Sequence, residues 1–379
     1  MEVKITKLQL FVLIVLFEMG SAIVVGLGSQ AKQDAWITIL LGMAGGLILF
    51  QVYYQLYKYY PDLSLTSYVQ KITGKVIGRL IAFLYVVYFM YCGARVLRDF
   101  GELLTTTIYS NTPILVINSL MILTIIYTIS KGIEVLARVG ELFILVVYFL
   151  AILGMLLVAF SGLIQLGNLR PFLENGWLPI LKTFAGETLN FPFGEMIIFS
   201  MIIPLVNEQK KLKIVCISAI ILSGVNITIT SIINIAALGV DQFVRSPFPL
   251  LSTVSKIEIA NFIERLDVLF MLYLVISGFF KVTIFFYGAV VGVGEIYGFK
   301  DHRLLSFPIG MLILFASLMM ASNYAEHIKE GLDIVPIYLH WPFQIIIPIL
   351  LLLIAFIKNK VKMKSQKEER QFERVNKDL

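Results

Sequence analysis

Charge is scarce in this sequence: Asp, Glu, Lys and Arg supply 15% of its 379 residues, against about 25% in an average soluble domain. The shortage excludes a chain that meets water on every side, because a soluble fold must cover its surface with polar groups. Cysteine is scarcer still. Cys92 and Cys216 each sit inside an apolar run, so they build neither a disulfide framework nor a metal site; both read as small buried hydrophobes. The histidines, His302, His327 and His340, lie in or beside expected loops and do not cluster with cysteines or carboxylates. The phosphate-loop and metalloprotease patterns are absent, and the glycines at 292–294 precede no strand–helix unit. No catalytic residue, metal or cofactor is therefore expected, and the chain does not read as an enzyme.

What is present is apolar. Hydrophobic residues make up 58% of the chain and the mean hydropathy is +0.87. A helix crossing the hydrocarbon needs about 20 mostly apolar residues. That ruler places spans near 8–29, 36–57, 80–103, 113–131, 139–162, 183–206, 213–239, 266–297, 303–322 and 334–357. The expectation is an all-α membrane protein of about ten transmembrane helices, with residues 1–357 as one domain. The first apolar stretch has no small-residue cleavage site after it and reads as a retained span.

Loop charges orient the bundle. Lys4 and Lys7 precede the first span, Lys58, Lys71, Lys75 and Arg79 follow the second, and Lys131 and Arg138 follow the fourth. Lys210, Lys211 and Lys213 follow the sixth, and Lys300 and Arg303 the eighth. The alternate loops hold fewer cations, diluted by Asp34, Glu174, Asp241, Glu326, Glu330 and Asp333. Positive residues favour the cytoplasmic side, so both termini are expected there. The net charge of +6 gathers largely in a basic cytoplasmic tail, 358–379; it suits anionic lipid headgroups and does not indicate nucleic acid. Residues 61–77 and 247–262 mix apolar and polar positions and suit short interfacial helices.

Two spans carry helix breakers near mid-depth. The first has Gly20–Ser21, with Gly26 and Gly28 beyond; the sixth has Asn190, Pro192 and Gly194. They hold corresponding places in two groups of five. Because five is odd, the second group enters with opposite topology, as in the LeuT-type 5+5 inverted repeat with interrupted first and sixth helices. Breaking a helix in lipid frees backbone groups that only a ligand, water or protein can satisfy. A half-helix starting near Ser21 would aim N–H groups at a carboxylate, and carbonyls near residues 188–191 would accept from an ammonium. A small zwitterion suits that pair, although Gly and Pro also merely kink or pack transmembrane helices.

Ionisable residues inside the membrane are costly and point to function. Glu18 lies one turn before the first break and Lys281 near the centre of span eight. Lys281 would stand in for a bound cation with Glu18 as partner, either titrating during transport or locking two helices together. Glu195 follows Pro192 and either caps the second half-helix of span six or joins this charge set. Glu187, in the outer part of that span, faces an outward vestibule in this reading. Arg95–Asp99 and Arg98–Glu102 are i,i+4 pairs on span three, suited to a neutralised structural cluster or a vestibule contact. Glu264, Arg265 and Asp267 read the same way at the start of span eight, and Glu141 and Glu295 as snorkelling or capping groups.

EMGSAIVVGLGSQAKQDAWI, LNFPFGEMIIFSMIIPL and ERLDVLFMLYLVISGFFKVTIFFYGAVVG resemble the B subunit of GerA-type spore germinant receptors, the spore germination permeases of the amino acid/polyamine/organocation superfamily. LTSYVQKITGKVIG and RPFLENGWLPIL extend the resemblance over about residues 4–357. It implies a LeuT-type fold in the inner membrane of an endospore, binding of a small germinant such as an amino acid, and assembly with A-type and C-type receptor subunits. By position it implies a ligand site at Gly20, Ser21, Ala22, Thr188, Phe191 and Gly194. Intramembrane charge coupling falls to Glu18, Lys281 and Glu195. Glu18 stands where many transporter relatives are uncharged, against plain sodium coupling. A germinant sensor, a permease proton-coupled through Glu18, and an ion or water conduit all share this pattern. Uptake into liposomes separates the first two.

Overall fold

The computed structural model describes residues 4–257 and 267–360. Helix α1 (Lys7–Val24) starts at Thr6, whose hydroxyl accepts the Gln9 N–H while the Gln9 side chain accepts the Thr6 N–H. This reciprocal box satisfies two donors that a helix start leaves orphaned. A 3-10 turn (Ser29–Asp34) leads into α2 (Ala35–Tyr59). Then come the short α3 (Leu65–Thr73), the long α4 (Lys75–Thr107), α5 (Ile114–Lys131) and α6 (Ile133–Phe160). After α7 (Trp177–Thr183) the chain is irregularly helical, with a π turn at Phe184–Thr188 and 3-10 segments at Phe193–Met201 and Ile203–Leu205. The remainder is α8 (Leu212–Leu238), α9 (Val240–Arg245), α10 (Pro249–Val254), α11 (Asp267–Tyr297), α12 (Ser306–Met319), α13 (Tyr324–Asp333) and α14 (Pro336–Lys360), the last π-helical as far as Ile346.

Nine helices among the described residues are long and apolar enough to cross a membrane. The remaining expected crossing, 183–206, is the interrupted one. Pro192 has no N–H to donate, and the chain passes from π to 3-10 geometry around it instead of forming two α half-helices. The first span also differs from expectation. Its α-helix ends at Val24, not near residue 29, and Gly28 adopts a left-handed φ of 77° before the 3-10 turn. Within 61–77 the structure forms α3, and within 247–262 it forms α10, with 258–262 outside the described residues. Glu264, Arg265 and the tail beyond residue 360 also lie outside them. The link 322–334 holds α13, a polar helix that a hydropathy ruler passes over.

Packing puts α1 at the centre, against α8 and α11, while α4 runs along α11 and α2 along α8. Phe17 of α1 meets Phe199 edge-on at 5.3 Å and Phe285 at 5.0 Å. Apolar side chains of α5 and α6, such as Leu120, Leu145 and Phe149, remain exposed, as lipid-facing positions require. At the end that carries the N-terminus, the Ile5 N–H donates to the Leu205 carbonyl (3.0 Å) and the Asn207 N–H to the Ile5 carbonyl (3.0 Å). The hydroxyls of Ser64, Thr66 and Ser67 all donate to Glu295 at that end, fastening α3 to α11.

With lipid as solvent there is little hydrophobic drive between helices, so small residues that permit close approach matter most. Gly42 and Gly46 of α2 let the irregular sixth segment lie directly on the helix. A Cβ at Gly42 would overlap the Thr188 carbonyl, and one at Gly46 the Phe193 side chain. Gly42→Ala should therefore destabilise the protein by about 1–3 kcal/mol, read as an earlier thermal unfolding transition in detergent. An unchanged transition would show that this interface yields freely.

Candidate functional site

The kink in α1 is explained by what crosses it. Gly20 has φ −21° and ψ −108°, and the Lys281 stem of α11 lies against it. A Cβ there would come within 2.9 Å of Lys281 Cβ and 2.8 Å of its Cδ. Gly20→Leu would consequently displace Lys281 before it blocked any ligand.

The Lys281 ammonium lies 2.5 Å from Glu195 Oε2, the two side chains being 0% and 4% exposed. It also sits 4.8 Å from the Phe17 ring centroid and 4.4 Å from that of Phe191. One cation thus touches α1 through Phe17, the sixth segment through Phe191 and Glu195, and carries both on α11. This corrects the expected pairing with Glu18. The Glu18 carboxyl is fully buried within electrostatic reach of Lys281 and Glu195, but neither oxygen has a hydrogen-bond partner among the described residues. Glu18 is expected as the partner from its place beside the first break, whereas the 3-10 segment after Pro192 carries Glu195 to the lysine.

The ends of the two broken segments are also joined. The Gly28 N–H donates to Glu187 Oε1 at 3.1 Å, while Glu187 Oε2 has no hydrogen-bond partner among the described residues. Thr188, expected at the site, instead donates its hydroxyl to the Thr38 carbonyl at 2.6 Å. Gly194 packs on the Gln344 side chain, and Ala22 faces a small crevice toward α8.

A cavity of about 470 Å³ opens at the end opposite the N-terminus. Ser21, Phe191 and Glu195 are the sequence-selected residues that line it, together with Glu187; Gly20, Ala22, Thr188 and Gly194 are not in its lining. Its walls include Arg95 and Asp99 of α4, and α13 covers one side through Tyr324 and Ile328.

The α4 charges are only partly arranged as i,i+4 spacing suggests. Arg98 meets Glu102 at 2.6 Å. Asp99, however, contacts His327 Nε2 at 2.9 Å, and Arg95 Nη2 donates to the His327 carbonyl at 2.7 Å. Tyr324 stacks on His327, and burial first, then Asp99 and Glu102, push its phenol well above the usual value. His340, placed beside a loop by the sequence, lies buried in α14. Gln344 Nε2 donates to the Tyr88 hydroxyl at 2.8 Å, leaving that hydroxyl's own proton for His340 Nδ1 at 2.8 Å. Their contacts with Tyr88 and Asp99 join residues more than 200 positions apart and leave no local pattern, although Gln344, four residues on, also approaches His340 Nδ1 at 3.2 Å. The only available signal was polarity inside or beside an apolar span.

The pattern of the family described as spore germination protein matches residues 4–325. Spore germination protein KB of Bacillus subtilis (strain 168) is 44% identical over 97% of this chain and 99% of its own length. The chain belongs to the spore germination protein family. Spore germination protein A2 of the same organism is 27% identical over 81% of this chain and 85% of its own. Among solved structures, MhsT in complex with L-phenylalanine has a TM-score of 0.65 at 12% identity, covering 94% of this chain and 89% of MhsT. Mhp1, a nucleobase–cation symport transporter, gives 0.66 at 11%, covering 87% and 75%. The family member therefore has the LeuT-type transporter fold, and its multi-pass helices place it in a membrane.

Removing one partner of a buried ion pair strands the other charge and costs about 3–5 kcal/mol. Glu195→Gln should lower thermal stability by roughly that amount, while Glu18→Gln, which breaks no hydrogen bond or ion pair among the described residues, should be near neutral. Equal losses from both would show that Lys281 draws on the two carboxyls alike.

Proposed function

We propose that this chain is a germinant-sensing membrane subunit that binds a small nutrient of amino-acid type between its two broken segments and signals spore germination. One observation carries the reading: a single cavity reaches Ser21 of the first break and both Phe191 and Glu195 of the second. Its volume of about 470 Å³ falls within the range of small-molecule pockets. The likeness to spore germination protein KB, and to a transporter fold seen with L-phenylalanine bound, supports the same reading.

The buried charge set favours sensing over a permease cycle. Alternating access requires one part of the bundle to rock against another. Lys281 holds α11 to the sixth segment by an ion pair and to α1 by its ring contact and the Gly20 kink. Such a tie resists full rocking while leaving a short-range shift available as a signal. In this reading the basic loops face the cytoplasm with both termini, the cavity opens outward in the inner spore membrane, and A-type and C-type subunits complete the receptor.

Ser21→Trp should fill the cavity floor. In spores carrying the variant, the amino-acid concentration for half-maximal germination should rise more than tenfold at unchanged protein level. The purified protein in liposomes should accumulate no labelled amino acid against a gradient. Concentrative uptake without partner subunits would replace the sensor with a permease.

A further inference from the structure

The cavity wall contains two charged side chains whose opposite charges are not consumed by the protein itself. Glu195 is taken by Lys281, Asp99 by His327, and Arg245 at the rim lies 3.9 Å from Asp241. Arg95 remains. Its sequence neighbour Asp99 has turned to His327, and no carboxylate lies within ion-pair distance of Arg95 among the described residues. Its guanidinium engages the His327 carbonyl (2.7 Å) and the Tyr91 hydroxyl (3.4 Å), two acceptors for five donors. Glu187 is the negative counterpart: with 7% exposure it lines the same cavity, has one oxygen on the Gly28 N–H and leaves Oε2 without a hydrogen-bond partner among the described residues.

We propose that Arg95 and Glu187 are the two poles of the ligand site. Arg95 receives a carboxylate through its planar fork, and Glu187 Oε2 receives a primary ammonium. The ligand class is an α-amino acid in its zwitterionic form. The apolar wall between, with Val25, Val96 and Phe191, takes a small aliphatic side chain. Recognition then falls on two side chains from α4 and the π turn, in addition to whatever the backbone at the breaks supplies. Occupancy would satisfy Glu187 Oε2 and tie α4 to the sixth segment. This inference rests on the amino-acid reading of the cavity.

The test measures binding of labelled L-alanine, L-valine and L-leucine to the full-length protein in lipid nanodiscs, with an uncharged hexose as a further probe. Competitors are valinamide, which lacks the carboxylate, and 3-methylbutanoate, which lacks the ammonium. Each lost charge contact should weaken binding about tenfold or more, so both analogues should compete at least tenfold worse than valine. Arg95→Gln should weaken valine about tenfold yet leave valinamide unchanged; Glu187→Gln should weaken valine yet leave 3-methylbutanoate unchanged. Arg95→Lys should recover part of the loss, and the analogue series on the unaltered protein stands even if a variant fails to fold. An amino acid that binds equally to all three proteins, or analogues that match valine, would overturn the two poles while leaving the cavity's amino-acid reading in place. Binding of the hexose alone, or of none of these probes, would overturn both.

Discussion

An ammonium in the middle of a bilayer must find an anion or be expelled, and in this protein Lys281 finds Glu195 at 2.5 Å. That single requirement organises the centre of the bundle. The charge is too costly to leave unpaired in hydrocarbon, so the sixth segment must present its carboxylate at the right depth. It does so by passing from the π turn at Phe184–Thr188 through Pro192 into a 3-10 helix at Phe193–Met201. The lysine stem in turn needs room, which α1 provides by carrying glycine at position 20. Two rings, Phe17 and Phe191, cover the ammonium from either segment. The two breaks are thus accommodated jointly around one cation.

Irregular backbone at membrane depth is tolerated where it is buried in protein or lines a cavity, and both conditions hold here. Next to the buried pair the irregular segments line a cavity; away from it they rest on the glycine face of α2. The transporter fold is kept, while a protein cation stands where its carrier α11 joins both interrupted segments. At the opposite end the Ile5–Leu205 and Glu295 contacts gather the N-terminus, the sixth segment and α3.

Much of this architecture is legible from the sequence because lipid simplifies the grammar. Apolar run lengths place the spans, loop lysines suggest their direction, and Pro192 and Gly20 mark the interruptions. Less legible is anything decided by local helix geometry. Glu18 and Glu195 are both one buried carboxyl near a break, and the residue spacing does not say which of them meets Lys281; in the fold the 3-10 segment after Pro192 carries Glu195 to it. Thr188 looked like a ligand contact by position, yet the π turn rotates its hydroxyl onto the Thr38 carbonyl. Asp99 had a good i,i+4 partner in Arg95, but α13 delivers His327 from a distant part of the chain. Long-range polar pairing leaves no periodic trace in a sequence.

The tie between α11 and the sixth segment is tested most directly by a double-mutant cycle on Lys281→Met and Glu195→Gln, read by thermal unfolding of the purified protein. Each single change should strand a buried charge, whereas the double change removes both. The expected outcome is a double variant more stable than the sum of the single losses implies, with a coupling of about 2 kcal/mol or more. Single losses that add to within about 0.5 kcal/mol would contradict the pairing and remove the centre on which the two broken segments are joined.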